Sequence, residues 1–372
     1  MKRKVLITTL FGVTNYGTVL QAYATQKKIQ DLGYDSDILN YTQKRLSLLN
    51  VIKKSNHEAK NIKSKLFILG SVCFRLVPNV IIKKIFSKFV NKYLVLTSNN
   101  INDYVEVKKS FDYSKYSCFL TGSDQVWNSK YNEGIDYVYY LKFVPDDLNK
   151  VSYASSIGMN EFPKEEKKEI KNLLNRYNHI SVRELSAQEE LKKMSIDSKL
   201  VLDPTMLLNI DEWKLIEKDM NINEKYLLVY ILGRDKSIMD IAEKVAAERN
   251  LKIIKIGLDF IHSSKIYKNY QFCSPNEFVY LFRNADFILT NSFHGLAFSI
   301  NFNKQFLAIS PKTYNTRLLS ILTLFDLTDR LIINNDDLIN DANINYDLVN
   351  KKLSKYRNDS IDFLRKSIKG DK

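Results

Sequence analysis

Short, continuous runs of apolar and β-branched residues alternate with helical segments along nearly the whole of this chain, and few architectures accommodate that rhythm. The first run, KVLITTL at 4–10, reads as a buried parallel strand. The turn FGVTNYGT follows, then apolar spacing that predicts a helix over 19–32, with Gly33 standing just past its end. YDSDILNY reads as the second strand, which makes the opening a βαβ unit. SCFLTGSD (117–124), KVSYASSIG (150–158), HISVRE (179–184) and SKLVLDPT (198–205) continue the series as strands running into polar loops. After the Asp203-Pro204 break the plan repeats, with strands expected at YLLVYIL (226–232), LKIIKIGL (251–258), ADFILT (285–290) and KQFLAIS (304–310). Between them, SPNE (274–277) combines a Ser N-cap, Pro at the first helical position and Glu three residues on. A long polar helix is expected from about residue 346. The reading is α/β, with two Rossmann-like domains on parallel sheets, at 1–210 and 211–372. That division suits a length of 372 residues. Residues 44–110 fit the rhythm least and read as a basic helical insertion.

Charge narrows the partners. The net charge is +14, and ten Lys or Arg stand against one acid, Glu58, in residues 51–93. Such a segment suits an anionic partner, a membrane surface included, or a solvated helical face. No recognised nucleic-acid motif accompanies it, so a nucleic-acid partner is not expected. The three cysteines, Cys73, Cys118 and Cys273, are far apart and suit neither a disulfide framework nor a zinc site, so no metal is expected. The N-terminus reads as a first strand and not as a signal peptide, and the longest apolar stretch, LFILGSVCFRLVP, is short and interrupted by Arg75. A cytoplasmic protein is expected, with peripheral attachment to the inner face of a membrane as a further possibility.

In open parallel sheets, ligands bind beyond the carboxyl ends of the strands. TNSFHG (290–295) sits at such an end and opens a helix, so Asn291, Ser292, Gly295 and the helix N-terminus suit an anion. His294, one of only four histidines, can there bind the anion or donate a proton near neutral pH. Asn15, Tyr16 and Gly17 open the first helix in the same way. Arg183, Lys312 and Arg317 follow strands and can fork onto, or attract, a carboxylate or phosphate; for Arg183 a salt bridge to Glu184 or Glu189 is the competing reading. TGSDQVWN places Asp124 and Gln125 beside Trp127, a mixture suited to a sugar, unless Trp127 is core and Asp124 a helix cap. The one D-x-D, Asp35 to Asp37, lies inside a strand and is a poor metal–nucleotide site.

TNYGTVLQAYATQKKIQDLGYDSDILNY, FLTGSDQVWN, KVSYASSIG, SVRE, VLDPTMLL and ADFILTNSFHGLAFSINFNKQF together resemble the polysaccharide pyruvyl transferase family, in order and over nearly the whole chain. The resemblance implies a GT-B-like arrangement with the site in the interdomain cleft. It implies transfer of pyruvate from phosphoenolpyruvate to two hydroxyls of a cell-surface glycan or its lipid-linked precursor, giving a ketal and phosphate with no further cofactor. It makes His294 the acid or phosphate ligand and Arg183 a donor ligand; the chemistry also needs a base, and Asp124 is the carboxylate assigned to it. The family pattern has Arg two residues before the histidine, where Ser292 stands here. Arg317 or Arg234 then takes that place, or the donor differs. A nucleotide-sugar glycosyltransferase of GT-B type and a non-catalytic, glycan- or membrane-binding subunit of polysaccharide assembly stay open as alternatives.

Overall fold

A computed structural model describes residues 4–43, 62–233, 237–257, 263–310, 316–333 and 342–370. Two six-stranded parallel sheets form the frame. The first, in the order β2-β1-β3-β4-β5-β6, comprises β1 (Lys4–Thr8), β2 (Asp35–Ile38), β3 (Cys118–Thr121), β4 (Lys150–Ser155), β5 (His179–Val182) and β6 (Lys199–Leu200). The second, in the order β12-β11-β10-β7-β8-β9, comprises β7 (Tyr226–Tyr230), β8 (Lys252–Ile256), β9 (Ile266–Tyr270), β10 (Phe287–Thr290), β11 (Gln305–Ile309) and β12 (Leu331–Ile332). The central strands β1, β3, β7 and β10 are buried on both faces, apart from the first residue of β1, which is why they read as unbroken apolar runs.

Two strands escaped the sequence pattern. The edge strand β9, IYKNY, is polar and largely accessible, and β12 has only two residues. Helix α1 (Tyr16–Asp31) starts three residues before the expected 19–32, because the Asn15 side chain accepts from the Thr18 amide and caps it there. Gly33 does sit just beyond its end at φ 89°. The described part of the basic insertion holds the long helix α2 (Ile62–Tyr93) and no strand. Residues 44–61, with Lys53, Lys54 and Lys60, lie outside the described residues.

Helix α3 (Pro275–Asn284) carries the expected capping box between Ser274 and Glu277. Helices α4 (Phe293–Asn301) and α5 (Thr316–Leu324) follow β10 and β11. The last helix, α6 (Tyr346–Lys369), crosses back to the first sheet. Asn149 Nδ2 donates to the Ser367 carbonyl at 2.8 Å, and the Leu202 amide to Ser360 Oγ at 2.9 Å.

One apolar cluster runs through both halves. Tyr16 stacks on Phe278 of α3 with ring centroids 4.6 Å apart, and its hydroxyl donates to the Cys273 carbonyl at 2.8 Å. Trp213 packs between Tyr23 and Phe298, at 5.8 and 5.0 Å. This shared packing fixes the carboxyl ends of the two sheets against each other.

Candidate active site

The TNSFHG turn is built residue by residue. Thr290 Oγ1 donates to the Tyr230 carbonyl at 2.6 Å and accepts from the Ser292 amide at 3.1 Å. Asn291 clamps β10 to β7: its Oδ1 accepts from the Leu232 amide at 2.7 Å and its Nδ2 donates to the Leu232 carbonyl at 2.9 Å. Ser292 is the N-cap of α4, accepting from the Gly295 amide at 3.3 Å. Gly295 is required by close approach, since a Cβ there would stand 2.3 Å from Thr290 Oγ1. Three of the proposed anion ligands therefore hold the turn together.

His294 is held at the junction of the two halves. Its ring lies against Gly17 of α1, where a Cβ would come within 2.0 Å of Nδ1. Its Nε2 is buried without a hydrogen-bond partner among the described residues and stands 3.8 Å from Asp203 Oδ2. Burial pushes its pKa below the ordinary 6.5, and Arg183 and Arg317 act in the same direction. Asp203 and Asp124 oppose the shift but do not reverse it. The resting imidazole is neutral.

Arg183 is buried and heavily engaged. Its Nη1 donates to Asp203 Oδ2 at 2.7 Å and to Ser123 Oγ at 3.2 Å, its Nη2 to Asp124 Oδ1 at 3.3 Å, and its Nε to Glu184 Oε1 at 3.2 Å. The guanidinium carbon lies 4.3 Å from the Phe293 ring centroid. The Glu184 salt bridge weighed from sequence is thus present, with two aspartates added. A guanidinium so enclosed acts as a scaffold for its neighbours.

Asp124 sits at φ 72°, in the left-handed region. Its carbonyl there accepts from the amides of Val126 and Ser156 at 2.7 and 3.0 Å, and its Oδ2 accepts from Thr18 Oγ1 at 2.5 Å. Burial alone would raise the pKa of Asp124. Arg183 and the Thr18 bond outweigh it, with His294 adding to them once it is protonated, and hold the carboxyl below its ordinary value. Asp203 is held low in the same way, with burial again opposed by Arg183, the bonds from Thr205 and, once it is protonated, His294. Both are carboxylates at neutral pH.

Trp127, expected as a platform for a sugar ring, is 0% exposed. It stacks on Tyr140 at 5.7 Å and meets the edge of Tyr177 at 6.2 Å, so it is a core residue and offers no face to an acceptor. Gln125 is half-buried beside Asp124, its Oε1 accepting from Asn128 Nδ2 at 2.7 Å. Tyr16 spends its ring and hydroxyl on the contact between the two halves, and Asn15 spends its side chain on the helix cap. Arg317 of α5 is half-buried, with Nε buried and unpartnered among the described residues; burial, Arg183 nearby adding to it, lowers its pKa. Lys312 and Arg234 lie outside the described residues.

Thr18, Ser123 and Asp203 were not singled out from the sequence. Asp203 had a signal: like Asp124 and Arg183, it follows the carboxyl end of a strand of the first sheet. Among the described residues no group of three His, Cys, Asp or Glu could hold a metal ion.

A family model described as polysaccharide pyruvyl transferase matches residues 15–313. No curated protein matches the chain. Among solved structures, an S. aureus MnaA–UDP co-structure superposes with a TM-score of 0.52 at 11% identity, covering 95% of this chain and 88% of that one. UDP-GlcNAc 2-epimerase from Methanocaldococcus jannaschii gives 0.49 at 12% identity, covering 95% and 92%. At such identities the likeness to the S. aureus structure is one of fold, and that fold is GT-B-like, as the two parallel sheets are here.

Proposed function

Since the chain belongs to the polysaccharide pyruvyl transferase family, and so to a family of transferases, we propose that it transfers pyruvate from phosphoenolpyruvate to two hydroxyls of a glycan, free or lipid-linked. The observation that carries this reading is His294 Nε2: buried, unpartnered among the described residues and at the N-terminus of α4, between the carboxyl ends of the two sheets.

In the proposed reaction C3 of the enol gains a proton from His294, and positive charge develops at C2. A sugar hydroxyl attacks C2 and loses its proton. The C2–O bond to phosphate breaks, and the second hydroxyl closes the ketal. Of the two hydroxyl protons, one replaces the proton given to C3 and the other leaves with phosphate. Once the new C–O bond has formed, the oxonium proton is strongly acidic. A carboxylate with a low pKa, such as Asp124, then suffices as its acceptor. The N-terminus of α4 and Arg317 are the groups we assign to the donor's anionic ends, with Arg317 standing in for the guanidinium replaced by Ser292. Gln125 is the group assigned to an acceptor hydroxyl. Arg183 keeps Asp124 and Asp203 ionised and in place.

Ser292 also favours a second reading on the same fold, a nucleotide-sugar glycosyltransferase. Thermal stability with phosphoenolpyruvate, phosphate and nucleotide sugars separates the two, because a ligand that binds only the native state raises Tm. A rise with phosphoenolpyruvate that is lost in His294→Ala is expected. A rise with nucleotide sugars alone would replace the pyruvyl reading by the glycosyltransferase one. Silence with every donor would favour the non-catalytic alternative.

A further inference from the structure

Helix α2 carries Lys63, Lys65, Arg75, Lys83, Lys84, Lys88 and Lys92 and not one Asp or Glu. Its two sides differ sharply from Pro78 onward. Ile82, Phe86, Phe89 and Val90 are buried, with Phe86 5.0 Å from Tyr16 and Phe89 6.1 Å from Tyr23. On the outer side Val80 and Ile81 are 60% and 40% exposed. Lys83, Lys84, Lys88 and Lys92 are exposed too. None of these four lysines pairs with a described carboxylate. Glu277 shares a pocket with Lys88 and Lys92 but is bonded to Lys218 at 2.7 Å. From Val80 to Lys92 the stripe runs about 18 Å along the helix.

We propose that this outer stripe of α2 docks on an anionic lipid bilayer, with Val80 and Ile81 entering the interfacial zone and the lysines lying among the headgroups. Exposed lysines alone would suit any polyanion. Two exposed β-branched residues at the head of the stripe are what a bilayer rewards and a nucleic acid does not. No described helix is long and apolar enough to cross a membrane, so docking is peripheral.

Behind the stripe lies a groove of about 200 Å³. Ile82 and Phe86 wall one side, Asn15 and Tyr16 another, and Tyr230 to Gly233 at the end of β7 a third. Asn15 caps the helix turn whose Gly17 backs His294. A docked α2 therefore sets this groove beside the membrane, where a lipid-linked acceptor of the proposed reaction would be presented. That last step rests on the proposed function; the docking does not.

The test is co-sedimentation with neutral vesicles and with vesicles carrying about 30% anionic lipid, at about 0.15 M salt. The wild type is expected to pellet with the anionic vesicles. The variant Lys83→Gln, Lys84→Gln, Lys88→Gln, Lys92→Gln should bind at least tenfold more weakly, since each lysine near such a surface contributes roughly fivefold. Val80→Ser with Ile81→Ser should also weaken binding. All six positions are exposed, so Tm should be nearly unchanged. Equal pelleting of wild type and lysine variant, or equal pelleting with neutral vesicles, overturns docking. So does a serine variant that binds vesicles as the wild type does while a short DNA duplex competes for the surface. The Tm response to phosphoenolpyruvate, measured on the same proteins, tests the catalytic reading separately. Its absence from the wild type with vesicle binding intact would remove that reading and leave the docking face standing.

Discussion

Gly17→Ala is the substitution that most directly probes the contact between the two halves. Position 17 lies in the first turn of α1, where alanine would ordinarily stabilise a helix over glycine by up to about 1 kcal/mol. Here the new Cβ would stand 2.0, 2.1 and 2.6 Å from Nδ1, Cγ and Cβ of His294. These are the root of a buried ring, not the tip of a flexible chain, so the imidazole or the helix must move. Forcing an extra methyl into a packed site costs about 1–3 kcal/mol. The balance in the wild-type background is near zero to about 2 kcal/mol destabilising. In a His294→Gly background all three clashing atoms are gone, and the same substitution should be neutral or stabilising by up to about 1 kcal/mol. Thermal denaturation of the four proteins in this cycle reads the difference as a coupling of about 1–3 kcal/mol. Activity should respond more strongly than stability, because a shift of about 1 Å in a catalytic group can cost on the order of 10²-fold. Gly12→Ala in the neighbouring loop, where a Cβ meets nothing within 4 Å, is the control and should change little. If Gly17→Ala were equally benign with and without the His294 side chain, the placement of His294 against α1 would be refuted.

Two further outcomes separate the site from its surroundings. Trp127→Phe should leave the KM for acceptor unchanged, since the ring is wholly enclosed, while Trp127→Ala should cost about 3–5 kcal/mol of stability; a KM that rises in the Phe variant at unchanged Tm would restore the acceptor role. His294 should also shape the pH dependence of stability. Its folded pKa lies below the ordinary 6.5, so unfolding lets it bind a proton at mildly acidic pH. The stability it contributes is present above that value and is lost as pH falls through it towards the folded pKa. Comparing Tm against pH for wild type and His294→Gln should show a shallower acid limb in the variant, and superposable limbs would refute the buried, neutral imidazole.

The frame of this fold was legible because parallel strands buried on both faces leave unbroken apolar runs, and because caps such as Ser274 with Glu277 use fixed spacings. The edge strand β9 was not, since a strand with one accessible side and polar residues lacks that signature. His294 could be found from its place at a strand end. The roles of its neighbours could not. Asn291 and Ser292 look like ligands in a sequence because side chains that bind anions also bind backbone amides. Trp127 beside Asp124 looks like a sugar platform because the sequence does not show which way a residue after a left-handed position will face. The enclosure of Arg183 was hidden in part because Asp124, 59 residues before it, and Asp203, 20 residues after it, converge on it from the ends of other strands.

That enclosure bears on how the proposed acid is charged. The buried cluster sets two guanidiniums, Arg183 and Arg317, against three carboxyl groups, Asp124, Glu184 and Asp203, with His294 neutral. A donor bearing both phosphate and carboxylate gains little from Arg183, whose charge is already spent. Each carboxylate about 5 Å from a donor anion costs on the order of 3 kcal/mol at an effective dielectric near 20. The group that can relieve this repulsion is His294, since a proton there attracts the donor and both aspartates at once. The arriving anion raises the pKa that burial had depressed. On the proposed reading, the site therefore rests with a neutral histidine and acquires its acid with the donor. A proton is then present where C3 needs one only when there is an enol to receive it.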